Sequence, residues 1–257
     1  MSFLHYLTVV SFHKYNPDWE IYVYVFNADK KIDDDITNPK YADFKGKDYW
    51  PDLINLGYVQ LRSLEFDRPW IHSILISDIW RREILYEDGG VYSDFDMLWL
   101  RPMEDLANVD CLGDPDNFEG TVSFHELTHG FHNVSNIISE RHSRFLKCLI
   151  DESRNISAPY GDQSFGTDLL NRMFPDWQFV VYGFPRMLAL PYETFYPYST
   201  FKMKKLFVDN DLSPLESKNV LGIHWFNGNP ISKEFINNDA YDRDCSINTI
   251  LKKEGYL

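Results

Sequence analysis

Asp94 and Asp96 stand one residue apart, after Val91-Tyr92 and just before the apolar run Met97-Leu98-Trp99-Leu100. Alternation along a strand puts residues i and i+2 on the same side. The spacing therefore predicts two carboxylates facing one point at the end of a buried strand. With no Lys or Arg between them, such a pair suits a hard divalent cation, Mn²⁺ or Mg²⁺. A second loaded pair lies upstream, where Ile74, Asp78, Arg81 and Leu85 recur at helical spacing. Asp78 and Arg81 thus fall in line with apolar positions, where ionised groups are costly unless paired or facing a polar cleft. Either reading is open from the pair alone. The neighbouring Gly89-Gly90 turn and the paired aspartates favour the cleft.

The elements that must position these groups follow from local patterning. Apolar residues at helical spacing predict a helix from about Trp70 to Tyr86, opened by Arg68-Pro69 and stopped by Gly89 and Gly90. Met1 to His13 predicts a helix with Ser2 as N-cap, and Glu20 to Phe26 a buried strand rich in β-branched and aromatic residues. Short strands are expected within Tyr58 to Phe66 and Thr121 to Phe124. Asn136 to Ile150 reads as an amphipathic helix capped by Asn136. The tail from Asp239 reads as polar and surface-bound. Strands alternating with helices imply an α/β fold, a mostly parallel sheet flanked by helices, with ligands beyond the carboxyl ends of the strands. Two tempting clusters read as bland: Asp33, Asp34 and Asp35 as a solvated turn, and His125, Glu126, His129 and His132 as a loop lacking any HExxH zinc pattern.

At 257 residues the chain fits one domain spanning 1–257, without repeats or linkers. An apolar fraction of 44% marks a globular protein. The formal net charge of −14 argues against a nucleic-acid or anionic-membrane surface. Three widely spaced cysteines read as free thiols of a reducing compartment. The sequence has no transmembrane anchor and no secretory signal, so a cytoplasmic location is expected.

The run SDxxRxxxLYxxGGxYxDxD, built by Ser77, Asp78, Arg81, Leu85, Tyr86, Gly89, Gly90, Tyr92, Asp94 and Asp96, resembles the DxD sugar-binding region of glycosyltransferases of the α-1,6-mannosyl, α-1,4-glycosyl and capsular-polysaccharide types. A bare DxD is a weak signal, whereas the composite is specific. The resemblance places the sugar-binding core at about residues 66–102 and implies a GT-A-like (Rossmann-like) fold. By the same resemblance Asn136 touches the donor sugar, Tyr92 lines the donor site, and His224, in Gly222-Ile223-His224-Trp225, closes the metal site. Asp162, Gln163 and Thr167 are candidates for the acceptor side. Relatives lay down a strand before the first helix, so an open sheet edge near Glu20 to Phe26 and self-association there are expected.

The function so implied is metal-dependent, retaining transfer of a sugar from a UDP- or GDP-sugar to a glycan or other hydroxyl acceptor, of the kind used in polysaccharide biosynthesis. Asp78 and Arg81 would act at the reacting centre and Asp94 and Asp96 would hold the metal. The alternative is a catalytically impaired nucleotide-sugar-binding protein, favoured if the absent strand removes the nucleotide pocket. A phosphatase using a DxD nucleophile fits poorly, because that chemistry expects the aspartate directly after an N-terminal apolar strand.

Overall fold

A computed structural model of the chain describes residues 1–26, 44–64, 73–124, 132–156, 161, 164–175 and 183–257. The aspartate run 33–35, the helix opening at 68–70, His125, Glu126, His129, Asp162 and Gln163 lie outside the described residues.

The first helix, α1 (Phe3–Tyr15), starts where expected, with Ser2 Oγ accepting the His5 backbone N–H. Strand β1 (Ile21–Phe26) pairs in parallel with β2 (Val59–Leu64), the short helix α2 (Trp50–Ile54) preceding β2. Helix α3 (Ser73–Asp88) ends at Gly89 and Gly90, both with positive φ (69° and 103°). Only glycine enters that region without strain, and a Cβ on Gly89 would also lie 2.9 Å from the Arg141 backbone nitrogen. The turn sends the chain back along the helix as β3 (Gly90–Ser93) and then β4 (Met97–Trp99). There follow β5 (Gly120–Phe124), β6 (His132–Asn133), β7 (Asn136–Ser139), α4 (Arg144–Arg154), α5 (Thr167–Met173), β8 (Met187–Leu190) and β9 (Gly222–His224).

The α/β class holds, but the expectation of a mostly parallel sheet does not. β1–β2 and β5–β8 are parallel, whereas β3–β7, β5–β7, β5–β6 and β4–β9 are antiparallel. A parallel neighbour needs a crossover of a dozen or more residues. Strands β5, β6 and β7 all fall within residues 120–139, too close in sequence for helical crossovers, so they fold back on one another.

Two other expectations are corrected. Asn136 caps no helix: residues 136–139 are β7, and α4 is capped by Ser143, whose Oγ accepts the Leu146 N–H at 3.4 Å. Four consecutive buried residues, Asn136 to Ser139, reflect a strand covered on both faces, a pattern easily read as part of the apolar stripe of the helix that follows. The tail does not merely wrap the surface either. Cys245, Ile247 and Leu251 are fully buried against Leu4, Leu7, Leu98 and Trp225, so the C-terminal helix Ser246–Lys253 completes the core that α1 begins. All three cysteines are free.

Among the described residues, β1 pairs with β2 alone. The second side of β4 is closed differently. Thr8 Oγ1 accepts the Met97 N–H at 3.3 Å and Ser11 Oγ accepts the Trp99 N–H at 3.0 Å, so two hydroxyls of α1 take the place of a neighbouring strand.

Candidate functional site

Strand alternation is not what brings the two aspartates together. β3 ends at Ser93 and β4 begins at Met97, so Asp94, Phe95 and Asp96 form the bend between two strands of different sheets. Each strand is fixed by its own partner. Ser93 lies opposite Asn136 in the β3–β7 register, and the Asp94 N–H continues that ladder onto Ser135 O at 2.8 Å. Met97 lies opposite His224 in β9, and the Trp225 N–H reaches Asp96 O at 2.9 Å. The register therefore sets His224 one position from Asp96, and its Nε2 lies 3.0 Å from Asp96 Oδ1. Asp94, Asp96 and His224 each present a ligand atom within 4.8 Å of the others. Two carboxylates and an imidazole are a donor set that fits a divalent cation such as Mn²⁺ or Mg²⁺.

Behind this group the N-terminal half of α3 carries a buried ionic network. Asp78 and Arg81 are 2% and 5% exposed and 3.1 Å apart. Arg81 also donates from Nη1 to Val134 O at 2.6 Å, from Nη2 to Ser77 Oγ at 3.1 Å and from Nε to Ser77 O at 3.2 Å. Its guanidinium lies 3.5 Å from Asp94 Oδ1 and 4.5 Å from the centre of the Tyr92 ring. Tyr92 in turn donates its hydroxyl to Asp94 Oδ1 at 2.6 Å and exchanges a hydrogen bond with Ser77 Oγ at 3.1 Å. The pair expected from the sequence is thus a buried ion pair whose network of polar contacts extends to Asp94. Asp78 Oδ2 is buried with no hydrogen-bond partner among the described residues.

Burial dominates the titration of these groups. It raises Asp78 above the usual carboxylate range against the pull of Arg81 and Arg82. It raises Tyr92, which stays protonated and able to donate to Asp94. Burial disfavours the Arg81 cation, but Asp94, Tyr92 and Asp78 outweigh it and hold that charge more firmly than usual. Arg82, 1% exposed, is brought down to about 10 by burial and remains a cation at neutral pH. Burial would also raise Asp96, yet His224, the Asn227 N–H and His5 together hold its carboxyl below the ordinary value.

Four contributors escaped the sequence reading. Tyr196, fully buried, sets its ring 5.2 Å from that of His224. Asn227 gives its backbone N–H to Asp96 Oδ2 at 2.8 Å. Phe226 makes that possible by holding φ at 48°, a left-handed conformation costly for a bulky side chain, while its ring stands edge-on to His224 at 4.4 Å. Thr8 donates to Phe95 O at 2.7 Å, inside the Asp-Phe-Asp bend itself. Of these, only Tyr196 stands in a run that local reading could single out, the aromatic-proline run Phe195-Tyr196-Pro197. Asn136 is buried beside the bend, its Nδ2 3.6 Å from Met97 Sδ.

Residues 4–113 match the family model described as "Glycosyltransferase sugar-binding region containing DXD motif". That segment holds nearly all of α1, the Asp78–Arg81 pair and Asp94-Phe95-Asp96, and its similarity to a DXD glycosyltransferase region supports a transferase. Two solved structures are similar. One is described as "crystal structure of a glycosyltransferase involved in the glycosylation of the major capsid of PBCV-1". It is 13% identical, with 84% of this chain and 98% of that one covered and a TM-score of 0.39. The other is "PaToxG Glycosyltransferase", also 13% identical, covering 97% of this chain and 82% of that one at a TM-score of 0.39. Both likenesses are remote, and the functional reading rests on the family match and the geometry of the site. No curated protein matches the chain. No helix among the described residues is long and apolar enough to cross a membrane.

Proposed function

We propose that residues 1–257 form one cytoplasmic domain that transfers a sugar, with retention, from a UDP- or GDP-sugar to a hydroxyl acceptor. The observation that carries this reading is the convergence of Asp94, Asp96 and His224 within 4.8 Å, beside the buried Asp78–Arg81 pair. Those three residues would hold Mn²⁺ or Mg²⁺, which supplies Lewis-acid stabilisation of the charge on a departing diphosphate. Arg81 adds a fixed cation whose orientation is set by its bonds to Val134 O and Ser77, so no reorganisation is needed as charge develops. Asp78 would offer to a sugar hydroxyl its Oδ2, which has no hydrogen-bond partner among the described residues, and Asn136 would contact the same sugar. Tyr92 keeps Asp94 in place by its hydroxyl. No side chain is assigned as nucleophile or base.

The reading is tested with Asp96→Asn. Calorimetry with UDP and with GDP should show binding that depends on Mn²⁺ in the unchanged protein and is lost in the variant. Donor hydrolysis across a nucleotide-sugar panel should be lost with it. Equal nucleotide affinity in both proteins, with and without chelator, would overturn the assignment.

A further inference from the structure

Helix α1 buries two hydroxyls on the same face as its core residues Leu4 and Leu7. Ser2 at its cap, Thr8 and Ser11 are all under 6% exposed. Thr8 and Ser11 address β4 from the side that no strand among the described residues occupies. An adjoining strand would bond alternate residues of β4, about 6.6 Å apart. Two helical positions three apart rise by about 4.5 Å, and the reach of a hydroxyl covers the difference. Ser11 serves Trp99 in the strand proper. Thr8 serves the metal-site bend: its Oγ1 donates to Phe95 O at 2.7 Å and accepts from Met97 N at 3.3 Å. One hydroxyl thus ties the residues on either side of Asp96, while Trp225 N holds Asp96 O between them.

We infer that Thr8 is a positioning residue of the metal site, acting through the backbone of Phe95 and Met97 to fix the direction of the Asp96 carboxylate. The consequence rests on the reading of Asp94, Asp96 and His224 as metal ligands. A carboxylate on a bend free to rock loses the fixed direction on which its contribution to a metal depends, and removing such supporting bonds typically costs about 10–100-fold in metal affinity. Thr8 Oγ1 bonds the backbone of Phe95 and Met97 and not a ligand atom, so its effect is on alignment and not on chemistry.

The test titrates Mn²⁺ into the full chain, followed by electron paramagnetic resonance, first alone and then with UDP or GDP. Thr8→Val keeps the shape and removes the hydroxyl, and should weaken Mn²⁺ about 10-fold. Thr8→Ser should restore the affinity. Ser11→Ala removes a comparable buried bond from Trp99 N and should leave Mn²⁺ binding unchanged, although its melting temperature falls. If Thr8→Val does not fold, Thr8→Cys, similar in size but a weak donor, makes the same comparison against Thr8→Ser. Unchanged Mn²⁺ affinity in the Thr8 variants that lack the hydroxyl, or an equal loss in Ser11→Ala, overturns the inference and leaves the functional reading intact. Failure of the unchanged protein to bind Mn²⁺ under any of these conditions overturns both.

Discussion

Two ion pairs of α3, one within the helix and one from its Asp88 to Arg62 of β2, have the same residue types and almost the same distances, yet they do different work. On one face Asp78 and Arg81 lie 3.1 Å apart with side chains 3% and 5% exposed. On the other, Asp88 and Arg62 lie 3.2 Å apart with side chains 54% and 41% exposed. Water screens the second pair and can replace either partner. Nothing replaces the partners of the first, because the carbonyl of Val134 and the hydroxyl of Ser77 are also committed to Arg81. The outer face borders a cleft of about 670 Å³ lined by Trp80, Glu83, Arg62 and Arg154 among others. Two of its acids pair with its bases, Glu83 with Arg154 and Asp88 with Arg62. Separation alone therefore says little about what an ion pair does. Burial and the other bonds of the partners decide it.

The largest effect expected from this contrast is at Arg81. Arg81→Met leaves Asp78 as a buried, unpaired carboxylate and should lower stability by about 3–5 kcal/mol in urea titration. A loss below about 1 kcal/mol would place the inner pair in the same class as the outer one. Arg81→Lys sharpens the point. It keeps the charge but not the fork that spans Val134 O, Ser77 and Asp78, so turnover should fall even where the fold is retained.

A smaller effect is expected from pH, through a buried group on a different helix. His5 packs edge-on against Trp225, ring centres 5.0 Å apart, with Nδ1 2.5 Å from Ser2 Oγ. Burial lowers its pKa from 6.5 to about 4, with Asp96 opposing. Because the unfolded chain takes up this proton first, the neutral ring's contribution to stability is complete above pH 6.5 and is lost as pH falls through about 4. His5→Gln should flatten the melting temperature between pH 6.5 and 4, measured in chelator. An unchanged slope would remove His5 from the set of buried groups that distinguish the site from the surface. The smallest effect belongs to the outer face, where Arg62→Met should cost under about 1 kcal/mol. A larger loss would erase the distinction between the two faces.

The composite run from Ser77 to Asp96 carried most of the site, since residue identities at fixed helical and turn spacing are local facts. The Gly89-Gly90 stop, the course of α3 and the strand at 21–26 were legible for the same reason. Asn136 was misassigned because a buried strand and the opening of an amphipathic helix share one apolar signature over four residues. The parallel sheet was misjudged because pairing direction depends on which strands meet, a matter of connection and packing that local pattern does not encode.

What the chain's own order of residues settled, then, was the chemistry on offer: two carboxylates, a charged pair on a helix and a histidine near the other end. What awaited the folded chain was their alignment. His224 is 128 positions from Asp96 and reaches it through the β4–β9 register. Asn227 meets Asp96 because Phe226 takes a left-handed turn, and Thr8 holds the bend from the buried face of α1. Such contacts are long-range, and their strength comes from burial, which exists only once the apolar clusters of both ends of the chain have closed around them.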